Sequence, residues 1–346
     1  NKKYQYMLDW VCEAFARFAA QLERNYVFAW LDWDGDNVLA TAGIIDYGSV
    51  RQFGLRHDQY RYDDVDRFST TLNEQRAKAR LIVQVFVQMV DFLESKKKAP
   101  LTQFKEHDTL KKFDEIFEYE RLNQLLYQWG FRQKYRENLL KKNRKQVQEF
   151  LANFENLEKQ KTCKKMERVA DGVNRPAILN MRKFIDLATL RLKEKYSTPL
   201  NDAETEEIYS KILSEHALRA DSKPSTHIKN KIKELYSQLL EFIESTTNSK
   251  NRTLFIDSLR ARGLLINAPN RVTGNALLYI VGEIMEQRKK GLKHSELQKI
   301  IDNFIRDQVF LPQDNATSTK KPLRTSRSKS LMKKVILLAS DHNEDI

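Results

Sequence analysis

Glycine and proline are scarce, ten and seven in 346 residues. That is too few for an all-β protein built on many tight turns. Cysteine is scarcer still: Cys12 and Cys163 are the only two. This excludes a disulfide framework and a C-x-x-C metal knuckle, and points to a reducing compartment. No apolar run nears the ~20 residues that span a bilayer, so we expect a soluble cytoplasmic chain with no membrane partner. A signal-peptide layout is missing too: the chain opens at Asn1, not Met, straight into a helical pattern, and we expect further sequence N-terminal to it.

What is present is charge and helix-forming composition. Sixty Lys and Arg against 47 Asp and Glu give a net charge of +13, which attracts phosphate-rich or acidic partners. Leu, Lys, Glu, Gln and Arg dominate, and 41% hydrophobic content suffices for a core, so the expected fold is mostly α. Apolar spacings of three and four predict helices over 4–26, 72–93, 113–129, 135–157, 178–196, 204–218, 228–243, 276–286 and 295–309. Pro100, Pro176, Pro199, Pro224 and Pro269 fall between them, where no helical hydrogen bond is lost. Residues 312–330 read as a linker, followed by a short amphipathic stretch at 331–338. Seven Lys and Arg and no acid lie between Lys320 and Lys334.

Four of the ten glycines, Gly35, Gly43, Gly48 and Gly54, fall in one 20-residue window. The same window holds Asp32, Asp34, Asp36 and Asp46, with no Lys or Arg from Asp32 to Val50. Clustered carboxylates in a basic chain call for a cation, and with no Cys or His nearby the suited ions are hard ones such as Mg²⁺ or Ca²⁺. Asp32-x-Asp34-x-Asp36 imitates the start of an EF-hand loop, yet Asn37 and Gly43 stand where that loop needs Gly and Glu. An acidic turn built on Asp34-Gly35 is the bland alternative. The third reading is a nucleotide–Mg²⁺ site of the protein-kinase kind. Asp32 lies five residues before Asn37, Val38-Leu39 and Ile44-Ile45 supply a hairpin, and Asp46-Tyr47-Gly48 supplies an Asp-aromatic-Gly turn. Asn37 and Asp46 would then reach one Mg²⁺ across the hairpin base.

From Phe15 to about Tyr62, the elements Asp36-Asn37, Ile45-Asp46-Tyr47-Gly48, Phe53-Gly54-Leu55 and Arg61-Tyr62 resemble the selenoprotein O family, including its YdiU-like bacterial members. The resemblance implies the C-terminal lobe of a protein-kinase-like fold that binds ATP in a flipped orientation and transfers AMP to Ser, Thr or Tyr hydroxyls of protein substrates. It implies Asn37 and Asp46 as ligands of Mg²⁺ or Mn²⁺ and Asp36 as catalytic base. Asp32 falls where ordinary kinases keep their catalytic Asp, so the base is Asp36 or Asp32, and Trp30-Leu31 replaces the family's His-Gly. The implied layout is a truncated kinase-like large lobe at 1–100, an α-helical extension at 101–311 and a flexible basic tail with a short terminal helix at 312–346. The small lobe would precede Asn1. Two other functions stay open: ordinary phosphoryl transfer, and a non-catalytic basic helical module for an acidic protein or, less favoured, nucleic acid.

Other residues have plainer readings. Trp10, Trp30 and Trp33 fit core or pocket wall, and Cys12 fits a small apolar residue on the first helix. Phe150, Phe154 and Leu157 form a packed stripe, and the basic runs 141–145 and 159–165 are solvated faces. Arg51, Arg56 and Arg61 would either steer phosphates or pair with Asp63, Asp64 and Asp66, and His57 is a loop histidine.

Overall fold

The computed structural model describes residues 2–29, 33, 37–45, 50–52, 54–56, 59–60, 70–163, 177–267, 275–308 and 322–341. Helix dominates. α1 (Lys2–Arg24) leads into β1 (Val27–Ala29), which pairs antiparallel with β2 (Val50–Gln52). A second two-residue pair, β3 (Gln59–Tyr60) with β4 (Thr70–Thr71), runs directly into α2 (Leu72–Ser95). α3 (Asp108–Gln128), α4 (Gln133–Lys142), α5 (Arg144–Glu158), α6 (Met181–Glu194), α7 (Asp202–Ile212), α8 (Thr226–Thr246), α9 (Arg252–Ile266), α10 (Asn275–Lys289), α11 (His294–Gln308) and α12 (Ser326–Asp341) follow. Among the described residues no helix is long and apolar enough to cross a membrane.

Local chemistry sets the helix ends. Thr71 caps α2 with a reciprocal box: its hydroxyl accepts from the Glu74 amide, and the Glu74 carboxylate accepts from the Thr71 amide. Asn201 and Glu204 repeat the device on α7. Ser225, directly after Pro224, caps α8. The expected single helix over 135–157 is two, because Asn143 leaves helical geometry (φ −125°, ψ 28°) and serves both as C-cap of α4 and N-cap of α5. The chain from 204 stops being helical at Ile212, where Leu213 turns extended and pairs with Leu179.

Three cores result. In the first, α1 (Val11, Phe15, Ala19), α2 (Ala79, Val83) and α3 (Leu110, Phe113, Phe117) enclose Val27, Trp33 and Ile44. α3 therefore packs in this core as well as in the next. The second core runs from the end of α3 to α9 around fully buried Trp129, whose ring meets Phe150 at 5.3 Å and Phe154 and Phe184 at 5.9 Å. Phe150, Phe154 and Leu157 are buried there as the spacing predicts. Gly130, at φ 88°, lets the chain turn against α9: a Cβ there would sit 2.1 Å from the Leu259 carbonyl oxygen. The third core gathers Ile280, Leu297, Ile300, Leu331 and Val335 from α10, α11 and α12, with Leu292 from the turn between α10 and α11. The terminal helix is thus longer than expected, and it is docked. Ser326 to Ser330, assigned to the linker, are its first turns, because Leu331 and Val335 bury one face and the buried Ser328 hydroxyl donates to Glu296 (2.8 Å).

Candidate functional site

The site is built outward from α1. The helix ends in a tight reversal at Asn25 and Tyr26, the latter at φ 54°, and the chain enters β1, all three residues of which are buried. One edge of β1 is taken by β2, with Val27 opposite Gln52 and Ala29 opposite Val50. Among the described residues no strand lies beside the other edge. Gln75 of α2 takes that place: its Nε2 donates to the Val27 carbonyl (2.9 Å) and its Oε1 accepts from the Ala29 amide (2.7 Å). The same oxygen accepts from the indole Nε1 of Trp33 at 3.3 Å. One glutamine side chain thus satisfies a buried strand edge and fixes the middle of the loop that follows. Trp33 itself is buried in the first core against Phe18, centroids 6.2 Å apart, as core or pocket wall. Trp10 is exposed.

Asn37 opens the expected hairpin. Val38 bridges Ile44, Leu39 donates to Gly43 (2.9 Å), and the Ile45 amide donates to the Asn37 carbonyl (2.9 Å). The turn closes with Ala42 donating to Leu39 (2.8 Å), and the left-handed residue is Ala42, φ 63°, not the neighbouring Gly43. Alternation orients the ribbon: Ile44 is buried and Val38 half-buried on the core side, while Leu39 and Ile45 face outward. Asn37 is therefore cross-strand from the residue just before Asp46. Asp32, Asp34, Asp36 and Asp46, with Trp30, Leu31, Tyr47 and Gly48, lie outside the described residues, as do Phe53, His57, Arg61, Tyr62 and Asp63 to Asp66. Among the described residues no group of three or more His, Cys, Asp or Glu gathers to hold a metal.

The segment after β2 is anchored by buried charge. Arg56 lies over the Tyr26 ring (5.6 Å) and approaches Glu158 at 3.5 Å and Glu155 at 3.9 Å. Two of its partners are thus on α5; Asp63, Asp64 and Asp66, the pairing expected from sequence, lie outside the described residues. Arg24, fully buried, holds Glu158 at 3.0 Å and Gln128 at 3.0 Å. Arg121 adds Glu23 (2.9 Å) and Glu155. Burial works against ionised Glu155, but Arg24, Arg121 and Arg56 outweigh it and hold the carboxyl at about 2. For Glu158 burial prevails and pushes the carboxyl up despite Arg24. Cys12 is buried, its Sγ donating to the Thr109 carbonyl at 3.3 Å, and burial pushes its thiol up to about 11. That is a packing residue, not a nucleophile.

Sequence reading missed Gln75 and the Arg24–Glu158 pair. Gln75 did leave a signal: it occupies the spacing 75, 79, 83, 87 of the buried face of α2, and a polar residue on such a face requires partners. No family model, curated protein or solved structure matches this chain.

Proposed function

We propose that residues 32–48 form a divalent-metal and nucleotide site, and that the chain serves Mg²⁺-dependent (or Mn²⁺-dependent) transfer of AMP from ATP to protein hydroxyls. One observation carries the reading: the acidic window is clamped twice. Ala29 pairs with Val50, and within that pair the Asn37 carbonyl takes the Ile45 amide at 2.9 Å. Residues 30–36 and 46–49 are the two spans joining these pairings, and between them they contain Asp32, Asp34, Asp36 and Asp46. Even fully extended, the shorter span reaches only about 18 Å from Ile45 to Val50.

The donor set fits the ion. An amide oxygen from Asn37 and a carboxylate from Asp46 are hard ligands from opposite sides of one ribbon. A divalent ion held there would neutralise charge on phosphate oxygens as the phosphorus–oxygen bond breaks. Asp36 or Asp32, on the span entering Asn37, takes the proton from the acceptor hydroxyl. The buried strand β1, from which that span departs, is gripped on both edges, and a positioned base needs such rigidity. The kinase-like lobe is part of the same proposal, supported by the order helix, strand, loop, hairpin and returning strand.

The test is Mn²⁺ binding to the 346-residue chain by electron paramagnetic resonance, with label transfer from α-labelled ATP to protein as the second readout. Asn37→Ala and Asp46→Ala should each weaken Mn²⁺ binding at least tenfold, and Asp46→Ala should abolish α-label transfer. Unchanged Mn²⁺ binding in both variants would remove the site, and transfer of label from the γ-position alone would replace AMP transfer by phosphoryl transfer.

A further inference from the structure

In a chain with 31% charged residues, one helix face stands out for having no charge. Every exposed position of α2 from 77 to 92 is apolar: Ala77, Leu81, Val85, Met89 and Phe92. The four larger ones are open to solvent, Leu81 by 48%, Val85 by 46%, Met89 by 38% and Phe92 by 47%. Their spacing puts them on one stripe about three turns long. The opposite face of α2 is already used, by Ala79 and Val83 in the core shared with α1 and α3 and by Val87 and Val90 against Leu8 of α1 and Phe104. A contiguous stripe of this kind is an association surface more often than a solvated one.

The pattern of the stripe identifies its occupant. Val85 lies at its middle, and about that residue the face is self-complementary when run antiparallel. Leu81 then stands opposite Met89 and Lys78 opposite Phe92. Glu74, at the first turn, stands opposite Lys96, at the C-cap. Both charges lie eleven residues from Val85, ~16 Å along the helix at 1.5 Å per residue. Lys78 and Lys96 have no ion pair or side-chain hydrogen bond among the described residues. Glu74 spends one oxygen on the Thr71 amide and keeps the other. Run parallel, the same face would set Glu74 against Glu74 and Lys96 against Lys96.

From this we infer that α2 is a dimerisation helix, its Leu81–Val85–Met89 face pairing antiparallel with the same face of a second copy of this chain about a twofold axis through Val85. A closed twofold contact is isologous, so each residue pair occurs twice and the Glu74–Lys96 pairs flank the apolar centre on both sides. A shallow crossing of ~20° keeps those ends within reach. Lys78 lays its stem and ammonium against the partner's Phe92 ring.

Sedimentation velocity of the full chain between 1 and 100 µM tests this. The expected result is a reversible dimer whose dissociation constant rises at least tenfold in Val85→Glu, which sets two carboxylates face to face on the axis; Val85 is exposed, so circular dichroism should stay unchanged. Lys96→Glu should weaken the dimer, and Glu74→Lys with Lys96→Glu should restore it. In a Cys163→Ser background, Val85→Cys should oxidise to a covalent dimer, while Leu264→Cys, equally exposed on α9, should not. A monomer at 100 µM, a dimer insensitive to Val85→Glu, or a double charge swap no better than the single one would each overturn the assignment.

Discussion

Replacing Gln75 by Leu tests whether the strand under the acidic window depends on one side chain. Leu keeps nearly the same volume and the helix propensity of the site, so what changes is polarity. Three buried groups lose their partner: the Val27 carbonyl, the Ala29 amide and the Trp33 indole N–H. A buried polar group left unpaired costs ~1–3 kcal/mol. The gain from burying an apolar side chain in place of an amide recovers about one such group's worth, so the expected net loss is about 2–6 kcal/mol, large against the ~5–15 kcal/mol stability of a domain. The matched control sits on the same helix. Gln84 is also buried but makes a single bond, Nε2 to the Leu101 carbonyl at 2.7 Å, and Gln84→Leu should cost only ~1 kcal/mol. Urea unfolding followed by circular dichroism gives both numbers, and hydrogen exchange read by mass spectrometry localises the first: the Ala29 amide should lose protection in Gln75→Leu and keep it in Gln84→Leu. If the two variants lose equal stability, or if the Ala29 amide stays protected without Gln75, the strand edge is held by something else and the reasoning fails.

Two further outcomes follow from the cores and the charge network. Gly130→Ala should cost more than ~3 kcal/mol in urea unfolding, because a left-handed backbone penalises Ala by ~1–2 kcal/mol and the new Cβ would meet the Leu259 carbonyl oxygen at 2.1 Å, forcing α9 off the second core. Glu155, held at about 2 against an ordinary 4.5, has a depressed folded-state pKa; its stabilisation, about 3 kcal/mol in order of magnitude, is present above pH 4.5 and lost as pH falls toward 2. The urea midpoint should drop through that window, and Glu155→Gln should flatten the drop; an unchanged profile in Glu155→Gln would show that the Arg24 and Arg121 contacts do not hold the carboxylate.

The helices were legible wherever one face alone meets a core. α1, α2 and α8 stand within three residues of their expected ends, because their apolar spacing and their caps agree. α9 was not expected at all: its buried residues reduce to Ile256, Leu259 and Gly263, and a helix that touches its neighbour through a glycine leaves a weak apolar pattern. The break at Asn143 was hidden for the opposite reason, since Leu139, Leu140, Val147, Phe150 and Leu151 keep a helical rhythm across it. The hairpin from Asn37 to Ile45 was read from Val38, Gly43 and Ile44, but its left-handed residue was not, because Ala42 carries a conformation that sequence reading assigns to Gly. β1 left no signal in the sequence: three residues are too short for alternation, and its second partner is a side chain.

Asn37 and Gln75 separate the chemistry from the frame that carries it. Asn37 ends the span from β1, and its backbone carbonyl takes the Ile45 amide at 2.9 Å, a bond that substitution by Ala leaves in place; its side-chain amide is the part proposed to meet a metal. Asn37→Ala should therefore lower Mn²⁺ affinity while costing far less stability than Gln75→Leu. Gln75 has no oxygen lone pair free for a metal, since its carbonyl oxygen takes two donors, so Gln75→Leu can weaken metal binding only by loosening the span that contains Asp32, Asp34 and Asp36. If the window is a metal site on a rigid frame, both variants lose affinity and only the second loses stability. If it is an acidic turn with no ion, both leave Mn²⁺ binding untouched, and Gln75→Leu still unfolds early. The pair of measurements thus divides the proposed chemistry from a purely structural account of the same residues.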